Sequence, residues 1–97
     1  MKKIMLVCSL GMSTSMLVEK MREAAAEKEI EVDIEAVSES ELSNQKDVDI
    51  AMLGPQIGHL EGQLKEKMNF PVETIDMTDY GMMDGEKVLK SALEALE

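Results

Sequence analysis

Cys8 is the residue in this chain best placed to do chemistry. It is the only cysteine, and it lies between a short apolar run at residues 4–7 and a stretch of small and hydroxyl-bearing residues at 9–15. A strand that ends in such a turn and then enters a helix directs backbone N–H groups and the positive end of the helix dipole into the turn. That arrangement binds phosphate and favours a thiolate over a thiol. Cys8 is therefore a candidate nucleophile beside a phosphate-binding loop.

The cysteine loop is similar in spacing to the loop of low-molecular-weight protein tyrosine phosphatases, but it lacks their arginine. At the arginine position this chain has Thr14, and Ser15 follows. The guanidinium of such an arginine clamps the phosphoryl group and stabilises charge during transfer and hydrolysis. The nearest basic residues after the loop, Lys20 and Arg22, come one to two helical turns later. A nucleophile with a backbone cradle and no clamp can accept a phosphoryl group but hydrolyses it poorly, which is the profile of a carrier.

Strand-like and helix-like spacings of apolar residues alternate along the whole chain. Residues 4–7 form a continuous apolar run, which predicts a strand buried on both faces. Residues 30–36 alternate apolar and acidic, which predicts an edge strand with one face in water. Ser38 and Glu41 have the spacing of a capping box and predict a short helix. The predicted strands are residues 4–7, 30–36, 48–53 and 72–75, and the predicted helices are 13–28, 39–43, 57–68 and 88–96, with a loop at 76–84.

Strands that alternate with helices predict a parallel sheet, because each crossover returns the chain to the same edge. With the second strand at an edge, the simplest order is 2-1-3-4, in a single-domain three-layer α/β sandwich. Ligands bind such sheets beyond the carboxyl ends of the strands where the order reverses, here between strands 1 and 3. Cys8 and the turn Gly54-Pro55-Gln56 should therefore face each other. Gln56 is either a hydrogen-bond donor to a bound phosphoryl group or partner, or a cap for the following helix.

The charge of the chain excludes nucleic acid as a partner. Its 97 residues carry 20 acidic and 10 basic side chains, a formal charge of −10, with one Tyr, one Phe and no Trp. Nucleic-acid binding requires Lys and Arg for the phosphates and aromatic rings for stacking. Nine of the acidic residues lie between positions 27 and 49, against two basic ones. This acidic segment is either a solvated edge or a docking face for a basic partner.

The other reactive side chains predict no second site. His59 falls within a predicted helix, where an exposed polar position explains it better than a role as a second phosphoryl acceptor. One cysteine and one histidine cannot supply the ligand spacing of a metal site. Asp79 is interpreted as solvated, because the cysteine loop lacks the arginine that accompanies an acid loop in phosphatases. Leu10 and Met12 in the cysteine loop are either docking residues or packed against the first helix or the Met82-Met83 loop.

A lone cysteine cannot form an internal disulfide, and no basic-then-apolar signal segment precedes Ile4. Both features indicate a reducing, cytoplasmic setting. The apolar runs are too short to cross a bilayer, so membrane contact would come through a partner.

Three motifs are spread along the chain. They are Cys8-Ser9-Leu10-Gly11-Met12-Ser13-Thr14-Ser15, Leu53-Gly54-Pro55-Gln56-Ile57, and Tyr80-Gly81 followed by Asp84-Gly85. Together they resemble the cytoplasmic IIB components (EIIB) of the sugar phosphotransferase system (PTS), in the lactose/cellobiose class. The likeness covers essentially the whole chain, so residues 1–97 are predicted to form one EIIB domain. Met12-Ser13-Thr14 is more similar to the cellobiose or chitobiose branch than to the glycine-rich lactose type, whereas Leu10 replaces a smaller residue.

The resemblance implies a phosphotransferase that works in a relay. In that family the cysteine matching Cys8 accepts a phosphoryl group from a phosphohistidine of the EIIA component. It then passes the group to a sugar, here of the β-glucoside, cellobiose or chitobiose type, held by the membrane component EIIC. No cofactor is implied, and a thiolate needs no general base. The residues implied to hold the phosphoryl oxygens are Ser9, Leu10, Gly11, Met12, Ser13, Thr14 and Ser15, with Gln56 as a candidate accessory residue.

Two other functions stay open on the residues alone. A low-molecular-weight phosphatase or arsenate-reductase-like enzyme would use the same cysteine loop, and it would turn over an aryl phosphate repeatedly. A redox-sensing domain would instead have Cys8 oxidised and never phosphorylated. Mixing with phosphorylated EIIA separates the sensor from the carrier, because only the carrier gains phosphate at Cys8.

Overall fold

The computed structural model describes residues 1–8 and 12–97, with the side chains of residues 12 and 13 left out of the description. Strands and helices alternate along the described chain, as the sequence predicts. The strands are β1 (Lys2–Cys8), β2 (Val32–Ser38), β3 (Ile50–Leu53) and β4 (Val72–Thr74). The α-helices are α1 (Met12–Glu27), α2 (Glu61–Lys67), α3 (Met77–Gly81) and α4 (Gly85–Ala95), and the 3₁₀ helices are Glu39–Asn44 and Pro55–Leu60.

The four strands form one parallel sheet in the order β2-β1-β3-β4, which confirms the predicted order and the edge position of β2. In the centre of the sheet, Ile4 of β1 pairs with Ile34 of β2 on one side and with Ile50 of β3 on the other. All three residues are buried. Every crossover between parallel strands carries a helix, so both faces of the sheet are covered.

Alternate residues of β1 pack against different layers. Ile4 and Leu6 contact the layer of α1 and α4, whereas Met5 and Val7 contact the layer formed by the 3₁₀ helices and α2. All four are fully buried. Burial of each such side chain contributes about 1.5–3 kcal/mol, which explains why the run reads as continuously apolar. The result is the predicted three-layer α/β sandwich, with β1 at its centre.

The two longest helices, α1 and α4, cross in close contact. They have 16 and 11 residues, and no helix in the described part of the chain is both long and apolar enough to span a bilayer. At the crossing, a Cβ on Gly85 would lie 2.6 Å from the backbone nitrogen of Met21 and would also collide with the backbone of Lys20. Only glycine permits this approach, so Gly85 fixes the start of α4 against α1.

The outer edge of β2 is partly covered by a side chain from α1. Lys3 and Val7 of β1 accept backbone hydrogen bonds from the β3 side. The backbone groups of the alternate residue Ile4 therefore point toward β2. Because Ile34 is the parallel partner of Ile4, the backbone carbonyl of Ile34 points away from β1, to the outside of the sheet. Arg22 fills that position, because its Nε and Nη2 donate to the Ile34 oxygen at 3.1 and 2.6 Å.

The predicted loop at residues 76–84 is wrong in part, because it contains α3. Asp76 caps this helix, and its Oδ1 accepts hydrogen bonds from the N–H groups of Thr78 and Asp79 at 2.9 and 3.1 Å. Tyr80 is the buried residue of α3. A five-residue helix with one buried side chain has no apolar periodicity, and that is why the sequence pattern did not reveal it.

Two details of the predicted helices also differ. Ser38 precedes the first 3₁₀ helix but makes no capping hydrogen bond, and its Oγ lies 3.3 Å from the Oγ of Ser40. The predicted capping box with Glu41 is therefore wrong. The helix predicted over residues 57–68 begins as the 3₁₀ helix Pro55–Leu60, is non-helical at Ile57 and becomes α-helical only from Glu61.

Candidate functional site

Cys8 is the last residue of β1 and is 5% exposed. It pairs with Ser38 at the end of β2. The chain enters α1 at Met12, one residue before the predicted start at Ser13. The described part of the chain therefore places Cys8 at the carboxyl edge of the sheet, four residues before the first residue of the longest helix. This strand-to-helix transition is the setting in which backbone N–H groups bind an oxyanion.

The predicted phosphate-binding residues fall partly outside the description. Thr14, which occupies the position of the phosphatase arginine, is completely buried in the first turn of α1, and Ser15 is exposed. Within the described residues, every buried side-chain nitrogen or oxygen has a hydrogen-bond partner. Ser9, Leu10 and Gly11 lie outside the described residues, as do the side chains of Met12 and Ser13.

The guanidinium nearest in sequence to the loop is held elsewhere. Arg22 donates two hydrogen bonds to the backbone of β2 and lies 3.5 Å from Glu19 in an ion pair. Lys20 is exposed on α1 beside the start of α4. Neither side chain reproduces the bidentate clamp that a phosphatase arginine supplies. A helix therefore begins after the cysteine loop, as the sequence predicts, and neither Lys20 nor Arg22 takes the place of the missing loop arginine.

Gly54 directly follows β3 and lies next to the end of β1. Its N–H donates to the backbone oxygen of Val7 at 2.9 Å, and Val7 pairs with Leu53 in the β1–β3 ladder. One further step in the same register brings Cys8 beside Gly54, on the face of the sheet that Leu6 and Met52 share. Neighbouring strands are about 4.8 Å apart. The end of β1 and the turn after β3 are therefore neighbours, and the meeting of the cysteine loop itself with that turn stays a prediction, because residues 9–11 lie outside the described residues.

Two side chains approach Gly54, one from the same turn and one from α3. The carboxamide Oε1 of Gln56 lies 3.1 Å from the position that a Cβ on Gly54 would take, and Cε2 of the Tyr80 ring lies 3.8 Å from it. Gln56 is otherwise exposed, whereas Tyr80 is 7% exposed. Gln56 therefore stands at the Cys8 edge of the sheet, as predicted. The approach of Tyr80 was not predicted, because it depends on the capped helix α3.

His59 and Asp79 are the other two reactive side chains that the sequence singled out. His59 is exposed in the second 3₁₀ helix, which confirms its interpretation as an exposed polar residue. Asp79 is half-buried rather than fully solvated, and its backbone N–H is bonded to Asp76. Among the residues that the structure describes, no three His, Cys, Asp or Glu side chains converge as metal ligands.

A network of charged and polar groups attaches α2 to the carboxyl end of β4. The Thr74 hydroxyl donates to Glu61 Oε1 at 2.6 Å, and Lys65 Nζ lies 3.1 Å from Glu61 and 3.6 Å from Glu73. The hydrogen bond from Thr74, assisted by Lys65, lowers the pKa of Glu61, and Glu61 in turn raises the pKa of Lys65. This network stabilises the helix that follows the Gly54 turn.

A parallel sheet of order 2-1-3-4, with a cysteine at the end of its first strand and a helix directly after the cysteine loop, defines the class of α/β protein that includes the low-molecular-weight tyrosine phosphatases. Within that class the family can be stated. The sequence model of the PTS lactose/cellobiose-specific IIB subunits matches residues 3–91. The chain belongs to this family.

Relatives that are named for different sugars have similar sequence identity to this chain. The oligo-beta-mannoside-specific EIIB component of Bacillus subtilis is 42% identical, with 99% of this chain and 97% of the relative covered. The galactose-specific EIIB component of Lactococcus lactis is 41% identical, with 94% and 93% covered. The solution structure of the cellobiose-specific IIB component of Borrelia burgdorferi matches with a TM-score of 0.82 and 44% identity, covering 98% of this chain and 91% of that one.

Proposed function

We propose that this chain is a cytoplasmic phosphoryl carrier of a PTS, in which Cys8 accepts a phosphoryl group from a phosphohistidine of EIIA and passes it to a sugar held by EIIC. Residues 1–97 would act as one EIIB domain. The observation that carries the proposal is the position of Cys8, at the end of the central strand and before the start of α1. Family membership supports a phosphotransferase role in general.

The two transfers balance without a cofactor. In the first, the Cys8 thiolate attacks phosphorus, an S–P bond forms, the N–P bond of the donor breaks and the histidine nitrogen keeps the electron pair. In the second, a sugar hydroxyl oxygen attacks phosphorus and the S–P bond breaks, so that sulfur leaves as a thiolate and the hydroxyl proton passes to the acceptor component or to water. A thiolate is both a good nucleophile and a good leaving group, which suits a carrier.

The cradle for the phosphoryl oxygens is proposed to be the backbone N–H groups of residues 9–15 at the start of α1. Gln56 is proposed as an accessory hydrogen-bond donor from the neighbouring strand end. Charge stabilisation beyond these groups would come from the donor and acceptor proteins, because the loop has no arginine. Without that clamp, water attacks the phosphocysteine slowly, and the group survives until the acceptor arrives.

The sugar is proposed to be a β-linked disaccharide of the cellobiose or chitobiose type. Support comes from the loop sequence Met12-Ser13-Thr14 and from the 44% identity to a cellobiose-specific component. Relatives named for oligo-beta-mannoside and for galactose have nearly the same identity. The choice of sugar is therefore assigned to EIIC, which binds it.

Reconstitution of the relay tests the proposal. The chain would be mixed with phosphorylated EIIA and with vesicles that contain the cognate EIIC, and sugar phosphate would be measured. We expect sugar phosphate only when this chain is present, and none with Cys8→Ser. Sugar phosphate formed equally well by the Cys8→Ser variant would contradict the proposal.

A parallel assay with an aryl phosphate tests the phosphatase alternative, which the shared fold makes the strongest competitor. We expect no sustained turnover by the wild-type chain, because the loop lacks the arginine clamp. Repeated turnover that disappears in Cys8→Ser would replace the carrier with a phosphatase. Oxidation of Cys8 without any phosphate gain from phosphorylated EIIA would favour a redox sensor.

A further inference from the structure

The cavity between β4, α3 and α4 combines an apolar floor with acidic walls. It has a volume of about 280 Å³, and the buried side chains of Met52 and Val88 supply its floor. Glu73 and Asp79, both half-buried, and the exposed Asp76 also line it. Among the described residues that line the cavity, none is Lys, Arg or His. The cavity is therefore suited to a cationic side chain that comes from outside the molecule.

The chain itself leaves most of this negative charge uncompensated. Within the described residues, no ion pair involves Asp76 or Asp79, and Glu73 has only an exposed contact of 3.6 Å with Lys65. The hydrogen bonds of Asp79 in the described chain use its backbone, so its carboxylate is available. At the β2 edge, by contrast, the groove between α1 and β2 contains Arg22 as its own cation. An external cation is therefore expected at the β4 cavity and not at the β2 groove.

The cavity lies near the edge of the sheet that carries Cys8. Thr74, which lines it, pairs with Leu53 of β3, and Leu53 pairs with Val7, the residue before Cys8. Because neighbouring strands are about 4.8 Å apart, the end of β4 is about 10 Å from the end of β1. Met77, at the start of α3, is 75% exposed. A partner in the cavity would therefore also meet an exposed apolar side chain, close to the Cys8 edge.

We propose that this cavity is the docking site for a basic cytoplasmic loop of EIIC, with a Lys or Arg of that loop placed between Glu73 and Asp79. The inference rests on the proposed function, because it concerns the partner of the second transfer. Cytoplasmic loops of membrane proteins carry an excess of Lys and Arg. The aliphatic part of such a side chain packs on an apolar floor while its charged end stays at the acidic walls.

Charge favours a basic loop of EIIC over direct contact with the lipid. This chain has a formal charge of −10, and the cytoplasmic surface of a membrane is also negative, so the two repel each other. Basic loops around a sugar held in the membrane would offset that repulsion and would steer the Cys8 edge toward the sugar.

The test measures the two transfers separately in Glu73→Gln/Asp79→Asn, which removes two charges and keeps the size of both side chains. Asp76 is left unchanged because it caps α3. For the second transfer, to sugar in EIIC vesicles of zwitterionic lipid, we expect the chain concentration for half-maximal rate to rise about tenfold. Added salt should slow this transfer less in the variant than in wild type. The first transfer, from phosphorylated EIIA, should be unchanged.

Two controls separate the cavity from net charge and from folding. Asp33→Asn/Glu35→Gln removes the same charge from two half-buried residues of β2, and it should match wild type in both transfers. Ser91→Lys, at an exposed position that lines the cavity, supplies a cation from the chain itself and should weaken the second transfer, whereas Ser91→Ala should not. Thermal unfolding checks that each variant is folded.

Equal half-saturating concentrations for the two double variants in the second transfer would overturn the inference. A defect confined to the first transfer would also overturn it, because the cavity would then contact EIIA. Failure of the wild-type chain to accept phosphate would contradict the proposed function instead. Co-sedimentation of the unphosphorylated chain with the same vesicles would then test docking alone, with weaker binding expected for Glu73→Gln/Asp79→Asn and equal binding of both double variants contradicting the inference.

Discussion

The outer edge of β2 and the carboxyl edge of the sheet, which carries Cys8, differ in the side chains that surround them. At the β2 edge, Arg22 reaches from α1 to occupy the outward carbonyl of Ile34. Asp33 and Glu35 lie on the same strand and Glu31 directly precedes it, all three exposed or half-buried. Charged side chains on an edge strand prevent pairing with other chains.

The carboxyl edge has exposed apolar side chains on the elements around it. Gly54, directly after β3, donates its backbone N–H to the oxygen of Val7, the residue before Cys8. Of the exposed large apolar side chains in the described part of the chain, Met16 lies in the second turn of α1, and Met77 and Met82 lie at the two ends of α3. The remaining one is the terminal Met1. Charge is thus concentrated along the β2 edge, and exposed methionines lie in α1 and α3, near the edge that carries Cys8.

The largest expected effect comes from the crossing that supports the carboxyl edge. Gly85→Ala places a methyl group against the backbone of α1, and we expect it to lower the free energy of unfolding by about 3 kcal/mol. Gly81→Ala is the control, because an added Cβ there has no atom within 4 Å, so its change should stay within about 0.5 kcal/mol. Denaturant unfolding measures both. Similar stability of the two variants would show that the crossing tolerates the methyl group.

A charge on the apolar edge should have a larger effect on transfer than removal of charge from the acidic edge. Met82 is 73% exposed at the end of α3, and we expect Met82→Glu to slow transfer from phosphorylated EIIA about tenfold by adding a charge to a contact surface. The triple variant Glu31→Gln/Asp33→Asn/Glu35→Gln should transfer at the wild-type rate, as a solvated edge requires. Slow transfer by the triple variant would instead make the acidic segment a docking face.

Removal of the side chain that covers the β2 edge should have a smaller effect. We expect Arg22→Leu to lower the free energy of unfolding by about 1 kcal/mol, because two hydrogen bonds to Ile34 are lost at a half-exposed site. It should also increase self-association in sedimentation experiments. Glu19→Gln removes only the 3.5 Å ion pair and should leave both properties unchanged. A monomeric Arg22→Leu of wild-type stability would show that the edge needs no cover.

The smallest expected effect is a pH dependence at the α2–β4 network. The folded-state pKa of Glu61 is below its ordinary value of 4.5, so its ionised form is stabilised by folding. That contribution is fully present above the unfolded pKa and is lost as pH falls through the folded pKa. Glu61→Gln should therefore be less stable than wild type at pH 7, and the difference should shrink as the pH falls below 4.5 and disappear once it is below the folded pKa. Glu66→Gln, exposed on the same helix, should be as stable as wild type at pH 7.

The sequence predicted the sheet because its signals are strong and redundant. Residues 4–7 are apolar on both faces, residues 30–36 alternate with acids, and helices separate every pair of strands, so the order 2-1-3-4 is the simplest solution. Cys8 ends β1 because it directly follows the apolar run at residues 4–7, and the strand order then places it where the order reverses between strands 1 and 3.

The parts of the site that escaped prediction depend on contacts distant in sequence. Helix α3 is stabilised by the Asp76 cap and not by periodicity, and it brings Tyr80 to Gly54. An Asp followed by Thr and Asp before a lone tyrosine was the available signal, since Asp is a strong N-cap. The use of Arg22 as a cover for β2 had no sequence signal, because it depends on how α1 packs against the edge strand.

The proposed function depends on the sulfur of Cys8 as the atom that carries the phosphoryl group. Tandem mass spectrometry of the chain after brief exposure to phosphorylated EIIA tests it directly. We expect one added phosphate, located on the peptide fragment that ends β1 and assigned to Cys8, and we expect it to disappear when EIIC and sugar are added. Phosphate found on His59 or on any other residue, with Cys8 unmodified, would contradict it.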